Sequence, residues 1–218
     1  RLAGARAASA AGAEAVVMDD GHQNPAVAKA LSLVVVDGDT REGRWPFGDG
    51  AVVPAGPMRE PLEAGLARAH AVIVLMPAGA GAPDPELLAL FGALPVLAAT
   101  LEAAAPPPRG PQLGFAGVAK PWKVAEALAR AGCDLLDFAP FPDHAPFRED
   151  DLRRLARHAA ALGAGLVTTE KDHVRLPPAW RERVVAWPVA ARFADPAALD
   201  ALLAQALGRP LAAAAAGD

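Results

Sequence analysis

Short apolar runs recur along the chain, each closed by Gly, Pro or charge: Ala15 to Met18, Leu31 to Val36, Ala71 to Met76, Pro95 to Ala99, Leu113 to Val118, Gly165 to Thr169 and Arg183 to Trp187. Continuous runs of this length suit strands buried on both faces. Helical spacing appears between them. From Asp150 to Leu162, Leu152, Leu155, Ala156, Ala159 and Leu162 fall on one face, with Glu149, Asp150 and Asp151 in the first turn and Gly163 placed to cap the end. A second helix is predicted from Pro121, at its first position, to Gly132, and a third from Ala197 to Leu207. Strands alternating with helices predict an α/β fold with a mostly parallel sheet, in which ligands sit beyond the carboxyl ends of the strands. The Pro-rich stretch 105–111 reads as a linker between residues 1–104 and 112–207, and 208–218 reads as a disordered low-complexity tail.

Composition narrows the function classes. With 53% apolar residues, 21 basic against 25 acidic side chains and a net charge of −4, the chain is a folded, soluble protein without the clustered positive charge that nucleic acid or anionic lipid demands. Nucleic acid is therefore not an expected partner. A single cysteine, Cys133, excludes an internal disulfide and cysteine-cluster zinc sites, and fits a reducing cytoplasm and a small buried side chain. The stretch from Ala71 to Pro83 is too short and too interrupted to span a membrane.

Four segments carry candidate chemistry. In Val16-Val17-Met18-Asp19-Asp20-Gly21-His22-Gln23-Asn24 an apolar run ends in two carboxylates and a Gly turn. If that run is a strand, Asp19 and Asp20 arrive at the ligand edge as a Walker-B-like Mg²⁺ site, because the hard cation takes oxygen ligands; the plainer alternative is Asp-Gly turn chemistry. The second segment, Val53-Pro54-Ala55-Gly56-Pro57-Met58-Arg59-Glu60-Pro61, is a long loop whose Arg59 could bind phosphate with its planar fork, or pair with Glu60 at a helix start. The third, Phe141-Pro142-Asp143-His144-Ala145-Pro146-Phe147, presents a histidine suited to proton transfer, or a structural one. In the fourth, Leu166-Val167-Thr168-Thr169-Glu170-Lys171-Asp172-His173-Val174-Arg175-Leu176, a strand opens into a polar loop without evident packing logic, where capping and ion pairs compete with function. His70 and His158 read as surface or boundary residues.

In this order and spacing the segments, together with Gly114-Phe115-Ala116-Gly117, resemble the tetraacyldisaccharide 4'-kinase family, the lipid A 4'-kinases of Gram-negative bacteria, from about Glu14 to Leu176. The resemblance implies an α/β fold of P-loop kinase type with a smaller C-terminal α/β region, and transfer of the γ-phosphoryl of ATP to the 4'-hydroxyl of tetraacyldisaccharide 1-phosphate. It implies ATP and Mg²⁺ as cofactors, the lipid A precursor as partner, and location at the cytoplasmic face of the inner membrane. A monomer is expected. By the same resemblance Asp19 and Asp20 match the metal carboxylates, Gln23 lies near the reacting phosphate, Arg59 and Glu60 form the Arg-Glu loop at the nucleotide, and His144 assists an Asp base.

Departures matter equally. No run of the form G-x-x-x-x-G-K-[ST] occurs in the 218 residues, and the family's catalytic Asp and membrane-associating helix are not matched either. With no initiator Met, the chain reads as an incomplete copy, expected to be inactive by itself. Ala145 stands where a second His is common in the family. The alternatives are a non-catalytic, degenerate lipid- or nucleotide-binding module, and a metal-dependent hydrolase using Asp19, Asp20 and His144.

Overall fold

The computed structural model describes residues 1–209. In chain order the elements are α1 (Leu2–Ala10), β1 (Leu33–Asp37), α2 (Leu62–Leu66), β2 (Ala71–Pro77), α3 (Pro85–Ala89), β3 (Val96–Ala103), β4 (Gln112–Ala116), α4 (Pro121–Arg130), β5 (Leu135–Pro140), α5 (Glu149–Leu162), β6 (Gly165–Thr169), α6 (Glu170–His173), α7 (Pro178–Arg181), β7 (Val184–Trp187), β8 (Val189–Phe193) and α8 (Pro196–Leu207), with a 3₁₀ turn over Arg41–Gly43. The strands form two four-stranded sheets, ordered β1-β2-β3-β8 and β5-β4-β6-β7. The β1–β2, β4–β5, β4–β6 and β6–β7 pairs are parallel, so the predicted α/β architecture with mostly parallel sheets holds.

Two compact units result: Arg1–Thr100 with the segment from Arg192, and Leu101–Ala191. This division differs from the expected boundary at the Pro-rich stretch, because α8 packs on the first sheet rather than with the C-terminal region.

The first unit is built on β2. Side chains alternate across a strand, and here both sets are apolar. Val72, Val74 and Met76 join Val36, Leu87 and Phe91 on one face, while Ile73 packs on the other with Leu97 and Ala99 against Leu199 and Leu202 of α8. The second unit repeats the scheme. Leu113, Phe115 and Leu166 pack against Leu152, Leu155 and Ala159 of α5; Val167 and Trp187 face the opposite way, toward Leu128 and Cys133 at the end of α4. Leu162, expected on the buried face of α5, lies at its exposed end, and Gly163 caps the helix in the left-handed conformation as predicted.

Six of the seven predicted strands form. The exception is Ala15 to Met18, which is irregular, with Val17 95% exposed, because no described strand lies alongside to satisfy its backbone groups. Two strands escape the apolar-run criterion. Both β5 and β8 are half-exposed outer strands, and their runs are broken by Asp137 and Arg192. The predicted tail lies outside the described residues from 210 onward, while Gly208 caps α8. Among the described residues no helix is long and apolar enough to cross a membrane.

Candidate functional site

Since no strand precedes them, Asp19 and Asp20 are delivered by a turn rather than by a sheet edge, and this corrects the strand-end geometry expected above. Asp20 takes the left-handed conformation, φ 49°, which Asp tolerates better than most residues. Gly21 and His22 then carry the chain inward. His22 Nε2 lies 2.9 Å from the Gly65 carbonyl oxygen and Nδ1 lies 2.7 Å from Ser32 Oγ, so both ring nitrogens are committed. His22 is thus a brace holding the turn against α2.

The Gly-Pro loop after β1 supplies the opposing residues. Val53 N–H donates to the Met58 carbonyl at 2.8 Å, Met58 N–H donates to Ala51 at 3.0 Å, and Asp49 Oδ1 accepts from Ala51 N–H. Gly56 is required by close approach: a Cβ there would sit 2.5 Å from the Ala51 oxygen. The folded loop points Arg59 back at the turn, where its Nη1 donates to both Asp20 carboxylate oxygens at 2.7 and 2.9 Å. Hydrogen bonding from Arg59, and then its charge, hold the Asp20 carboxyl below the usual carboxylate range and raise Arg59 above its ordinary value.

Beside this pair, Glu60 accepts from Gln23 Nε2 at 3.1 Å and from Arg68 Nη2 at 2.6 Å on each oxygen. The Arg68 contacts keep the Glu60 carboxyl low. Two cross-links, Asp20–Arg59 and Gln23–Glu60, therefore join the first two sequence segments. The Asp19 carboxylate and the Nη2 and Nε of Arg59 have no protein partner among the described residues.

The described residues of this unit line at least two cavities. One of about 180 Å³ is lined by His22, Lys29, Ser32, Arg68 and His70. A second, of about 350 Å³, opens beyond the carboxyl ends of β1 and β2, between Asp39–Arg41 and Pro83–Pro85. That is the position an α/β sheet favours for ligands, and none of the predicted site residues lines it.

The other segments lie in the second unit. His144 is also left-handed, φ 56°, with its side chain 68% exposed and Nε2 3.8 Å from Asp143 Oδ1. Its ring makes no hydrogen bond among the described residues, while its backbone N–H donates to the Gly117 carbonyl at 3.3 Å. The fourth segment corrects expectation: its polar residues do have a packing logic. Thr168 Oγ1 donates to the Phe115 carbonyl at 2.7 Å, Thr169 caps α6, and the fully buried Asp172 accepts from Gly117 N–H, Thr169 Oγ1 and Arg175.

With the geometry described, comparison with known proteins decides the family. The model of tetraacyldisaccharide-1-P 4'-kinase matches residues 1–208. The chain belongs to the tetraacyldisaccharide 4'-kinase family. It is 70% identical over 203 residues to the tetraacyldisaccharide 4'-kinase of Caulobacter vibrioides (strain NA1000 / CB15N), covering 93% of this chain and 61% of that protein. The kinase of Phenylobacterium zucineum (strain HLK1) is 66% identical over 203 residues, with 93% and 62% covered. The chain thus spans about three-fifths of the length of the curated relatives it matches. The crystal structure of the "apo" form of LpxK from Aquifex aeolicus in complex with ATP shares the fold, with a TM-score of 0.56 at 18% identity over 86% of this chain and 56% of that one.

Phosphoryl transfer from ATP in this family implies Mg²⁺ at the nucleotide. No group of three or more His, Cys, Asp or Glu able to hold a metal occurs among the described residues. The ion does not require one, since Mg²⁺ binds commonly through one or two carboxylates plus phosphates and water. Asp19 and Asp20, adjacent and both exposed, are carboxylates of the kind that would serve such an ion. What the sequence reading missed is the role of buried Asp172 and half-buried Arg175 as framework. The signal was the spacing, since Asp172 and Arg175, three residues apart, face one another across a single helical turn.

Proposed function

We propose that this chain is the portion of a tetraacyldisaccharide 4'-kinase that helps hold the phosphates of ATP and assists deprotonation of the acceptor sugar, in transfer of the γ-phosphoryl group to the 4'-hydroxyl of tetraacyldisaccharide 1-phosphate at the cytoplasmic face of the inner membrane. The observation that carries the reading is the Asp20–Arg59 cross-link. It places a carboxylate pair and an arginine with unused N–H groups on one exposed surface, as phosphoryl transfer requires.

In this reading Asp19 and Asp20 hold Mg²⁺, which when bound offsets the negative charge of the phosphate oxygens. Arg59 turns its free N–H groups to a phosphate oxygen, and Glu60, fixed by Arg68, orients the Gln23 amide. The Asp20 and Arg59 side chains are both more than half exposed, so each would be open to a cation or a phosphate oxygen. His144, with an exposed, unbonded ring on a fixed backbone, assists the base that takes the proton from the sugar hydroxyl. The 218 residues contain no Walker-A run, so the polypeptide alone is expected to be inactive.

The test is an assay for labelled phosphate on the disaccharide, using ATP and Mg²⁺. A family protein of full length carrying this segment should form product, and the 218-residue chain alone should not. Product from the 218-residue chain would overturn the proposed division of labour. Mg²⁺-ATP binding without any product in the full-length protein would favour a binding module.

A further inference from the structure

Asp172 is 0% exposed, yet no substrate role is assigned to it. Its carboxylate is the hub of a buried network. Oδ2 accepts from Gly117 N–H at 3.0 Å, across 55 residues of sequence, and from Thr169 Oγ1 at 3.0 Å, while Oδ1 accepts from Arg175 Nη1 at 2.8 Å. Arg175 extends the network outward. Its Nη2 donates to the Ala145 carbonyl at 2.6 Å, Nη1 lies 3.4 Å from the Gly117 carbonyl, and the guanidinium sits 5.3 Å from the centroid of the Phe147 ring.

These anchors converge on one short loop. Gly117, held by Asp172, accepts the His144 N–H, and Ala145, held by Arg175, is the next residue. Phe147 beyond it packs edge-on to Phe115 and Phe141, with centroids at 5.6 and 5.1 Å. The His144 N–H is therefore tied through Gly117 to the Asp172–Arg175 pair, the Ala145 carbonyl one peptide further on accepts from Arg175, and the His144 ring makes no hydrogen bond among the described residues. A left-handed, non-glycine residue persists only where its surroundings over-determine it.

Resting on the reading of His144 given above, we propose that Asp172 and Arg175 are positioning residues for His144, fixing the backbone from which its imidazole projects. Such fixing matters because a misplacement of about 1 Å at a proton-transfer group can cost roughly 100-fold in rate. Neither residue touches substrate in this scheme.

The test separates the clamp from the chemistry. Asp172→Asn could fail to fold, so the principal variant is Arg175→Met, which keeps the stem over Phe147; Arg175→Lys is the conservative partner, able to reach Asp172 or Ala145 but not both. In the 218-residue chain, amide hydrogen exchange at His144 is expected to accelerate more than about tenfold in Arg175→Met, with partial recovery in Arg175→Lys and no change at Val167. In a full-length kinase carrying the segment, Arg175→Met should lower kcat about 10- to 100-fold, leave KM for ATP within about twofold, and add little to His144→Ala, since groups acting as one unit are non-additive. Unchanged His144 exchange in a folded Arg175→Met chain, or full additivity with His144→Ala, would overturn the proposal. Faster exchange together with a His144→Ala enzyme of normal kcat would retain the clamp and instead remove His144 from catalysis.

Discussion

Arg59 reaches across 39 residues of sequence to bridge both carboxylate oxygens of Asp20 through one guanidinium nitrogen. The pair is more than half exposed on both sides, so its contribution to folding is small and its use lies elsewhere. Arg59→Ala and Asp20→Asn should each lower kcat of a full-length enzyme by at least about 100-fold, the range for losing one preorganised charge-stabilising group. Thermal melting of the 218-residue chain should not shift. A large drop in melting temperature without kinetic loss would make the pair structural.

Acid should loosen the same surface. Arg68 keeps the folded-state pKa of Glu60 below its unfolded value of about 4.3, so the stabilisation is complete above that value and disappears as pH falls through the lower, folded one. The shifts of Asp20 and Glu149, held by Arg59 and by the Trp180 indole N–H, have the same sign, but both carboxylates face solvent and add little to the stabilisation. Melting curves should therefore be flat from pH 7 to about 5 and fall below about 4. Glu60→Gln should lower the melting temperature at pH 7, with the difference from wild type shrinking as the pH drops below 4. A constant difference down to pH 3 would show that the charge of Glu60 contributes nothing.

Much of the fold was legible because buried parallel strands advertise themselves. β1, β2 and β6 are near-continuous apolar runs closed by polar residues, and the amphipathic spacing of α5 names its buried face. The run at Ala15 to Met18 has the same composition and forms no strand, since composition does not report whether a partner is present. β5 escaped because an outer strand tolerates Asp137 in its middle. Of the candidate site, Asp20, Gln23, Arg59 and Glu60 were recognisable from spacing and resemblance. Which carboxylate meets which guanidinium was not, because that depends on the path of the 48–58 loop. The buried Asp172 was read as part of an open polar loop for a related reason: its partner Gly117, 55 residues away, becomes visible only when β4 and β6 lie side by side.

Replacing the exposed imidazole tests the loop most simply. His144→Ala removes a largely exposed side chain, so melting should change little, while kcat of the full-length enzyme falls about 100-fold, the usual scale for a partner in acid–base catalysis. An unaltered kcat would assign the proton transfer to other groups.

Gly117 lies close beneath that loop. A Cβ there would lie 3.3 Å from Phe147 Cζ, 3.4 Å from Asp172 Oδ1 and 3.5 Å from the Pro142 oxygen, atoms that are themselves packed or bonded. Gly117→Ala should cost about 1–3 kcal/mol, the range for overpacking a filled interior. A lower urea midpoint with an unchanged slope would report this. A midpoint equal to wild type would mean that the loop yields freely.

The two units differ in how the polypeptide is threaded. Leu101–Ala191 is one uninterrupted stretch, whereas the first sheet is completed by residues that follow it, with β8 on its edge and α8 on its face. During synthesis from the N-terminus, the later-made unit has all of its strands in hand before the earlier-made one does. Until Phe193, Leu199 and Leu202 emerge, Ile73, Leu97 and Ala99 lack the covering that α8 provides. Of these two units, the one whose first strands are made earlier is thus the one whose sheet is completed later, with an apolar face open in the meantime to chaperones or to misassembly.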